Sequence, residues 1–295
     1  MKKEHSVDQP NVKESPASLT LVPIGGLANR FYAVASAVAF CRDHAVRLKV
    51  VWFKDGGMGA GFHAILALSE KVKDVEVIDA GWKEWLYDRP RKRNLWLPYL
   101  WQRLAFGRCV YEEEVNRGFS AEDLAKTFGK TSSVYLVHYC LFYDKPDLLS
   151  PLHPVEAIER RIAERIQTLG LDKHTIGIHI RRGDHVRSLI NSPLSLFIHQ
   201  IKQEIEKNPE ARFYVASDDY EEKSKLKELF GDRIITLFDK VERDNEKGIA
   251  DAVVELYTLS SVKKIYGSLA STYSLLAARL SGITIEVLSV DSSQA

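Results

Sequence analysis

The sequence has few cysteines and no long apolar run. Its three cysteines, Cys41, Cys109 and Cys140, are scattered and lack the spacing of metal ligands or of a disulfide framework. No apolar stretch approaches the roughly 20 residues that cross a bilayer. The first lysines are followed by no apolar segment, which argues against a secretory signal. We therefore expect a cytoplasmic protein with reduced thiols, in which residues 1–17 form a disordered lead-in.

The sequence also has no excess of positive or negative charge. The 41 lysines and arginines stand against 40 aspartates and glutamates, which gives a formal net charge of +1. This balance argues against a nucleic-acid partner, since such proteins usually carry a basic excess. No repeat of fixed period is present. With 295 residues and about 150 residues per domain, two domains are expected.

Strand and helix patterns alternate regularly in the second half of the chain. Strands are predicted at 175–180, 212–216, 233–237, 263–266 and 283–287, with helices between them. Such alternation predicts an α/β fold in which a parallel sheet carries helices on both faces. The first half shows a looser version of the same pattern. Prolines at 146, 151 and 154 interrupt the chain, which places the predicted domains at 18–153 and 154–295.

The strand at 175–180 runs directly into Arg181 and Arg182, followed by Gly183 and Asp184. In open α/β sheets, ligands bind at the carboxyl ends of the strands. A guanidinium group matches the paired oxygens of a phosphate. The pattern therefore predicts an anion site, and the alternative is an ion pair between Arg182 and Asp184 that fixes a loop.

Two carboxylates, Asp218 and Asp219, follow the next strand at the same edge. They could hold a metal ion or accept hydrogen bonds from a ribose or a guanine. Alternatively, one of them could cap the helix that follows. Metal binding is the least favoured of these interpretations, because the arginines already supply the positive charge that a cation would bring.

A third strand end passes through a turn of small residues into a helix. Ser271, Thr272 and Ser274 lie at this helix start, where free N–H groups and the helix dipole favour anions. Capping of the helix without a ligand is the alternative. Together, the three strand ends predict a ligand that carries phosphate.

In the first half, Gly25 and Gly26 form a similar strand-to-helix turn. It lacks the Lys-Ser/Thr of a P-loop and the spacing of a dinucleotide fingerprint. Its glycines could let a backbone N–H approach a phosphate across a cleft, with Asn29 and Arg30 reaching it by side chain. A tight turn without a ligand is the alternative.

One segment has no clean period. Residues 87–108 mix five arginines with tryptophans and two prolines. The pattern predicts an irregular or partly helical insertion. Its basic and aromatic residues could contact anionic lipid peripherally, or bind an acidic or lipid-linked acceptor.

Several of these stretches resemble motifs of bacterial α-1,2- and α-1,6-fucosyltransferases. GGLANRFYAVASAVAF resembles their N-terminal glycine motif, HIRRGDHV their H-x-R-R-x-D motif, FYVASDD their second motif and GSLASTYSLLAARLSG their third. The similarity runs in order over nearly the whole chain. The chain departs from the pattern at Ala28, where glycine is usual, and at Arg30, where glutamine is usual. The aromatic tryptophans of the α-1,2 third motif are also absent.

The resemblance implies a GT-B fold, in which two Rossmann-like domains face each other across a cleft. It implies an inverting, metal-independent glycosyltransferase that moves fucose from GDP-fucose to a hydroxyl of a glycan or lipid-linked acceptor. The domain at 154–295 would then bind the donor and the domain at 18–153 would face the acceptor. No cofactor or metal is expected. The alternatives are an enzyme of the same fold with another nucleotide sugar, and a non-catalytic protein that binds nucleotides or carbohydrates.

The same resemblance assigns roles to individual residues. Arg181 would contact the diphosphate and support the departure of GDP. Apart from the resemblance, the attack by an acceptor hydroxyl calls for a general base, and the candidates are Asp184, which is the second predicted catalytic residue, His185 and His63. For His63 the alternative is a surface residue without a role. The residue patterns and the resemblance together give the predicted donor ligands, which are Gly26, Asn29, Arg30, His179, Arg182, Asp218, Asp219, Ser271, Thr272 and Ser274.

Overall fold

The computed structural model describes residues 16–183, 186–239 and 241–290. The strands are β1 (Ser18–Pro23), β2 (Arg47–Trp52), β3 (Leu66–Leu68), β4 (Val75–Asp79), β5 (Arg108–Val110), β6 (Ser133–His138), β7 (Leu152–Pro154), β8 (Ile176–Ile180), β9 (Phe213–Ser217), β10 (Ile234–Ile235), β11 (Lys264–Ser268) and β12 (Thr284–Leu288). The helices are α1 (Leu27–His44), α2 (Phe62–Ile65), α3 (Leu97–Ala105), α4 (Glu112–Asn116), α5 (Ala121–Phe128), α6 (Glu156–Thr168), α7 (Val186–Asn191), α8 (Leu194–Lys207), α9 (Tyr220–Phe230), α10 (Glu246–Ser260) and α11 (Thr272–Ser281).

Two parallel sheets organise the chain. The first has the order β4-β2-β1-β6-β5 and the second has the order β10-β9-β8-β11-β12. Neighbouring strands in both sheets are parallel, so each sheet needs crossover connections, and helices supply most of them. The α/β prediction is therefore confirmed. The first half, expected to be a looser version, has a sheet of five strands like that of the second half.

A small ribbon links distant parts of the chain. β3 pairs with β7 in antiparallel register, with Leu66 opposite Pro154 and Leu68 opposite Leu152. The proline-rich segment that predicts a linker therefore contains a short strand that is tied back to the first half. A domain division at residue 153 stays a prediction.

The largest buried apolar cluster extends through both halves. It contains residues of α1 and the first sheet together with residues of α10 and α11. Smaller clusters cover the opposite face of each sheet. The two sheets are therefore joined through a continuous apolar interior.

Helix α1 lies inside this interior. Fourteen of its residues are buried, including Phe31, Phe40 and a series of alanines. Alanine favours helix strongly, and its small side chain lets neighbouring elements pack closely. A helix that is apolar on all sides is expected to be buried on all sides. This burial fixes the position of the turn at its start, which the candidate site uses.

The glycine loop after β2 meets the second half directly. The Gly59 N–H donates a hydrogen bond to the carbonyl of Arg243 at 2.8 Å. A Cβ at Gly59 would lie 2.2 Å from the backbone nitrogen of Asn245 and 2.2 Å from the carbonyl carbon of Asp244. Glycine is required here because the two backbones leave no room for a side chain.

The insertion predicted at 87–108 is partly helical, as expected. It contains a 3₁₀ turn at Lys92–Asn94 and the helix α3, and another 3₁₀ turn at Trp82–Tyr87 directly precedes it. Among the described residues, no helix is both long enough and apolar enough to cross a membrane.

Candidate active site

Two helix starts meet between the sheets. α1 follows β1, and α11 follows β11. The Thr272 hydroxyl donates a hydrogen bond to Oδ1 of Asn29 at 2.8 Å, and this bond connects the two helix starts. The N-cap of α1, Gly26, has no side chain to cap the helix, and the side chain of Ser271, the N-cap of α11, accepts no hydrogen bond from an N–H group of its helix. Two helix dipoles therefore present their positive ends at one place, which favours an anion there.

The backbone of both turns has a special conformation. Gly25 has φ +84°, and Ala270 has φ +59° although it is not a glycine. A left-handed conformation costs a non-glycine residue about 1 kcal/mol, so the surrounding structure must hold Ala270 in place. A Cβ at Gly26 would meet nothing within 4 Å. The start of α1 is therefore accessible to a ligand.

Arg181 lies at the carboxyl end of β8, beside this turn. Its backbone N–H donates to Oγ of Ser268 on the neighbouring strand β11, at 3.0 Å. Its guanidinium group pairs with the carboxylate of Asp218, which follows β9. The sequence prediction that these strand ends share one edge of the sheet is confirmed.

Asp218 is the centre of a cluster of cations. Besides Arg181, it accepts a hydrogen bond from the backbone N–H of Arg182 at 2.8 Å and from Nη2 of Arg243 at 3.0 Å. Gly183, with φ +42°, lies so close that a Cβ there would be 2.8 Å from a carboxylate oxygen of Asp218. One carboxylate thus holds two guanidinium groups side by side. The predicted contact between Asp218 and the nucleoside stays a prediction.

Within residues 16–183, 186–239 and 241–290, no three histidine, cysteine, aspartate or glutamate side chains are grouped so that they could hold a metal ion. The expectation that donor binding needs no metal stays a prediction.

The side chain of Arg30 is held inside the protein. Its side chain is buried, and it donates to the carbonyls of Gly25 at 2.8 Å and Phe53 at 2.5 Å. It also pairs with Asp55 at 2.7 Å. Burial lowers the pKa of this guanidinium to about 10, although Asp55 opposes the shift. Arg30 therefore joins the glycine turn to the loop after β2 from the buried side, and its predicted contact with a donor stays a prediction.

Arg182 is also turned inward. Its side chain is buried and pairs with Glu222 of α9, and its Nη1 donates to the carbonyl of Arg181 at 3.0 Å. Burial raises the pKa of Glu222, and the adjacent Arg182 opposes this shift. The Arg182 side chain thus has a structural partner, Glu222, and its role as a donor ligand stays a prediction. The predicted alternative partner, Asp184, lies outside the described residues.

Two further predicted ligands have structural partners. Asp219 accepts a hydrogen bond from the backbone N–H of Glu222 at 2.9 Å, so it is the N-cap of α9. This agrees with the capping alternative. Ser274 is buried and donates to the carbonyl of Ser271 at 3.3 Å. Its hydroxyl stabilises the first turn of α11, and its predicted contact with the donor stays a prediction.

His179 lies beneath the start of α11. Its Nδ1 is 3.4 Å from Oγ of Ser271, and its ring stacks on Tyr273 with 5.2 Å between centroids. Burial lowers the pKa of His179 to about 4. The imidazole is therefore neutral at neutral pH, and it supports the Ser271 turn through packing and a hydrogen bond.

Of the three candidate general bases, the structure describes only His63. Asp184 and His185 lie outside the described residues. His63 lies in α2, just after the glycine loop, and its Nδ1 is 2.9 Å from Oδ2 of Asp79 at the end of β4. Asp79 also accepts a hydrogen bond from the backbone N–H of His63 at 3.2 Å. A carboxylate that fixes one ring nitrogen orients the other, and this is the arrangement of an oriented base.

Sequence reasoning missed two charged residues of this region. Arg243 lies in a loop without periodicity, and no pattern connects it to Asp218. Glu255 lies on α10, where burial raises the pKa of its carboxyl to about 7 despite the nearby Lys223 and Arg165. A single acidic residue in an amphipathic helix gives no such signal in the sequence.

No protein-family model and no curated protein matches the sequence. Solved structures of fucosyltransferases do match the fold. NodZ α-1,6-fucosyltransferase, known from Bradyrhizobium, was solved after soaking with GDP-fucose; the match has a TM-score of 0.63 and 16% identity over 90% of this chain and 93% of that chain.

Two other structures agree. FUT1 of Arabidopsis thaliana, in a complex with GDP, matches with a TM-score of 0.63 and 14% identity over 94% of this chain and 71% of that one. POFUT1, in a complex with GDP-fucose, matches with a TM-score of 0.59 and 14% identity over 94% and 99%. At these identities the likeness concerns the fold, and it confirms the expected architecture: the chain has the GT-B fold of the fucosyltransferases.

Proposed function

We propose that this protein is an inverting fucosyltransferase that moves fucose from GDP-fucose to a hydroxyl of a glycan or lipid-linked acceptor. The observation that carries the proposal is the meeting of two helix starts at the Asn29–Thr272 hydrogen bond, on the sheet edge where Arg181 lies. The solved structures of this fold that hold GDP or GDP-fucose support the choice of donor. A lipid-linked acceptor would agree with peripheral membrane contact through residues 87–108.

The chemistry follows from the charge that develops during the reaction. The bond between the fucose anomeric carbon and the β-phosphate oxygen breaks, and its electron pair stays on that oxygen. Arg181 and the two helix starts then stabilise the added negative charge. Arg243 lies beside Arg181 through their shared partner, Asp218, and so supplies a second cation. We assign Asp218 the role of a positioning residue that orients both guanidinium groups.

The acceptor hydroxyl attacks the anomeric carbon from the face opposite to GDP, which inverts its configuration. Its proton passes to a base on the acceptor side. Among the described residues, His63 is the base that we favour, because Asp79 orients its ring and the loop before it contacts the second half at Arg243.

Titration calorimetry with GDP, UDP and GDP-fucose tests the proposal. We expect GDP to bind at least about tenfold more tightly than UDP, since specific hydrogen bonds to a base readily exceed that ratio. Equal affinity for UDP would favour another nucleotide sugar, and the absence of binding to both would refute the assignment. Binding of GDP-fucose without its hydrolysis or transfer would instead identify a non-catalytic binding protein.

The role of His63 gives a separate prediction. His63→Ala is expected to lower kcat for transfer to an acceptor about 100-fold, because a positioned base typically contributes that much. Slow hydrolysis of the donor by water should change little, since leaving-group stabilisation is untouched. Asp79→Asn should lower transfer less, because the imidazole of His63 stays in place and loses only its charged partner.

His153 provides the matched control for this experiment. It is also a partly exposed histidine near a carboxylate, with Nδ1 3.8 Å from Glu159, but it lies in the proline-rich segment. His153→Ala should leave transfer unchanged. If His63→Ala were equally harmless, another group would have to accept the proton.

A further inference from the structure

The segment from Trp82 to Leu104 exposes an unusual amount of apolar surface. Leu104 is 89% exposed and Trp82 is 81% exposed. The other large exposed apolar residues of the segment are Trp85, Leu95, Trp96, Leu97, Tyr99 and Leu100. We call this group the basic-aromatic surface, together with the exposed cations Lys83, Lys92, Arg93 and Arg103. Clusters of this kind mark sites that contact a partner or a membrane.

Helix α3, within this surface, turns its apolar face to the solvent and buries the opposite face. Leu97, Leu100 and Leu104 recur at helical spacing on one face of α3, and all three are exposed. Pro98 and Gln102 occupy the opposite face and are buried. The Gln102 side chain donates to the carbonyls of Leu86 and Asp88 at 2.8 and 2.9 Å. The helix is therefore anchored by its polar contacts and turns its leucines outward.

The turn before α3 has a strained backbone. Leu95 has φ +51° and Trp96 has φ +59°, so two successive large residues adopt the left-handed conformation. This conformation is unfavourable for both, and conformations of this kind tend to cluster at functional sites. Both side chains are exposed, so burial among the described residues does not compensate for the strain.

The charges around the apolar residues point to the partner. Three arginines of the region pair with carboxylates, namely Arg89, Arg91 and Arg108. The exposed cations Lys92, Arg93 and Arg103 form no ion pair with a carboxylate of the described residues. They lie on or directly before the helix that carries the exposed leucines. Cations beside tryptophan and leucine match the interface of an anionic bilayer, where headgroups meet acyl chains.

We propose that the basic-aromatic surface docks on an anionic lipid bilayer. Leu97, Leu100 and Leu104 enter the acyl boundary, Trp82 and Trp96 lie at the headgroup level, and the cations contact lipid phosphates. A second copy of this chain is a poorer match. In a two-fold symmetric contact the same surface faces itself, which would bring the cations of both copies together.

Vesicle flotation with the full chain tests this inference without nucleotide or acceptor, so its outcome does not depend on the proposed function. The probes are vesicles of phosphatidylcholine alone and of phosphatidylcholine with phosphatidylglycerol. We expect the protein to float with the anionic vesicles and to remain below with the neutral ones. Raised salt should weaken the binding, because salt screens the charges.

Two pairs of substitutions separate the contributions. Lys92→Gln with Arg93→Gln should lower the affinity for anionic vesicles about 30-fold, as expected for two cations near such a surface. Leu100→Ser with Leu104→Ser should lower it about tenfold or more through lost burial of apolar area. All four side chains are exposed, so the thermal unfolding of these variants should match that of the parent protein.

Matched controls come from other exposed positions. Lys71→Gln with Lys73→Gln removes the same charge elsewhere, and Leu229→Ser removes an exposed leucine from α9. Both should float like the parent. Failure of the parent to float, or equal losses in the controls, would overturn the proposal. So would a dimer in analytical ultracentrifugation that Leu100→Ser with Leu104→Ser converts to a monomer, because the surface would then be a self-interface.

Discussion

Arg181→Ala is expected to lower fucose transfer about a thousandfold, which is the usual effect of removing a group that stabilises developing charge in a transition state. The fold should remain intact, because Asp218 keeps its bonds to Arg243 and to the backbone N–H of Arg182. The measurement is a steady-state transfer assay combined with thermal unfolding. The loss should fall on kcat more than on KM for the donor.

Two further variants sharpen the result. Arg181→Lys keeps the charge but loses the planar fork, and we expect an intermediate rate. Arg117→Ala removes an exposed arginine after α4 and should be neutral. Unchanged transfer in Arg181→Ala would refute the proposed role of Arg181, and with it the placement of the diphosphate.

The adjacent arginine gives the opposite prediction. Arg182→Met is expected to lower the free energy of unfolding by about 3–5 kcal/mol, because it leaves the Glu222 carboxylate partly buried without its cation. Oε2 of Glu222 already has no hydrogen-bond partner among the described residues. For a chain of this size the unfolding temperature should fall by about 10 °C. Thermal and denaturant unfolding measure the effect.

A second substitution and a change of pH test the cause. Glu222→Gln in the Arg182→Met background should recover much of the loss, because it removes the unpaired charge. Burial raises the pKa of Glu222, so the folded state of Arg182→Met binds a proton more readily than the unfolded state. The destabilisation should therefore be present at neutral pH and shrink as pH falls through that raised pKa. A loss independent of both changes would point to packing alone.

The fold could be predicted because its signals are local. In the second half, isoleucine alternation and helix-start residues predict each element separately, and parallel strands follow from the alternation. The three strand ends at Arg181, Asp218 and Ser271 do share one edge, as the topology requires. The secondary structure of residues 87–108 could be predicted only coarsely, because the turns in this segment depend on side-chain contacts such as those of Gln102.

The direction of individual side chains could not be predicted in the same way. Arg30 and Arg182 carry the same group as Arg181, yet their partners lie far along the chain, at Asp55 and Glu222. Whether a guanidinium faces a cleft or the interior depends on such distant partners. The sequence also left open which of Asp218 and Asp219 caps helix α9, because an aspartate can serve either as an N-cap or as a ligand.

The contact at Gly59 connects the first half of the chain to the cations around Asp218. The carbonyl of Arg243 accepts a hydrogen bond from the Gly59 N–H. The Arg243 side chain donates to Asp218, which also pairs with Arg181. The glycine loop is thus connected by direct contacts to Asp218, the carboxylate that, under the proposed function, orients the arginines at the donor diphosphate. Any influence that an acceptor on the first half has on donor affinity must, by thermodynamic linkage, be matched by an equal influence of the donor on acceptor affinity.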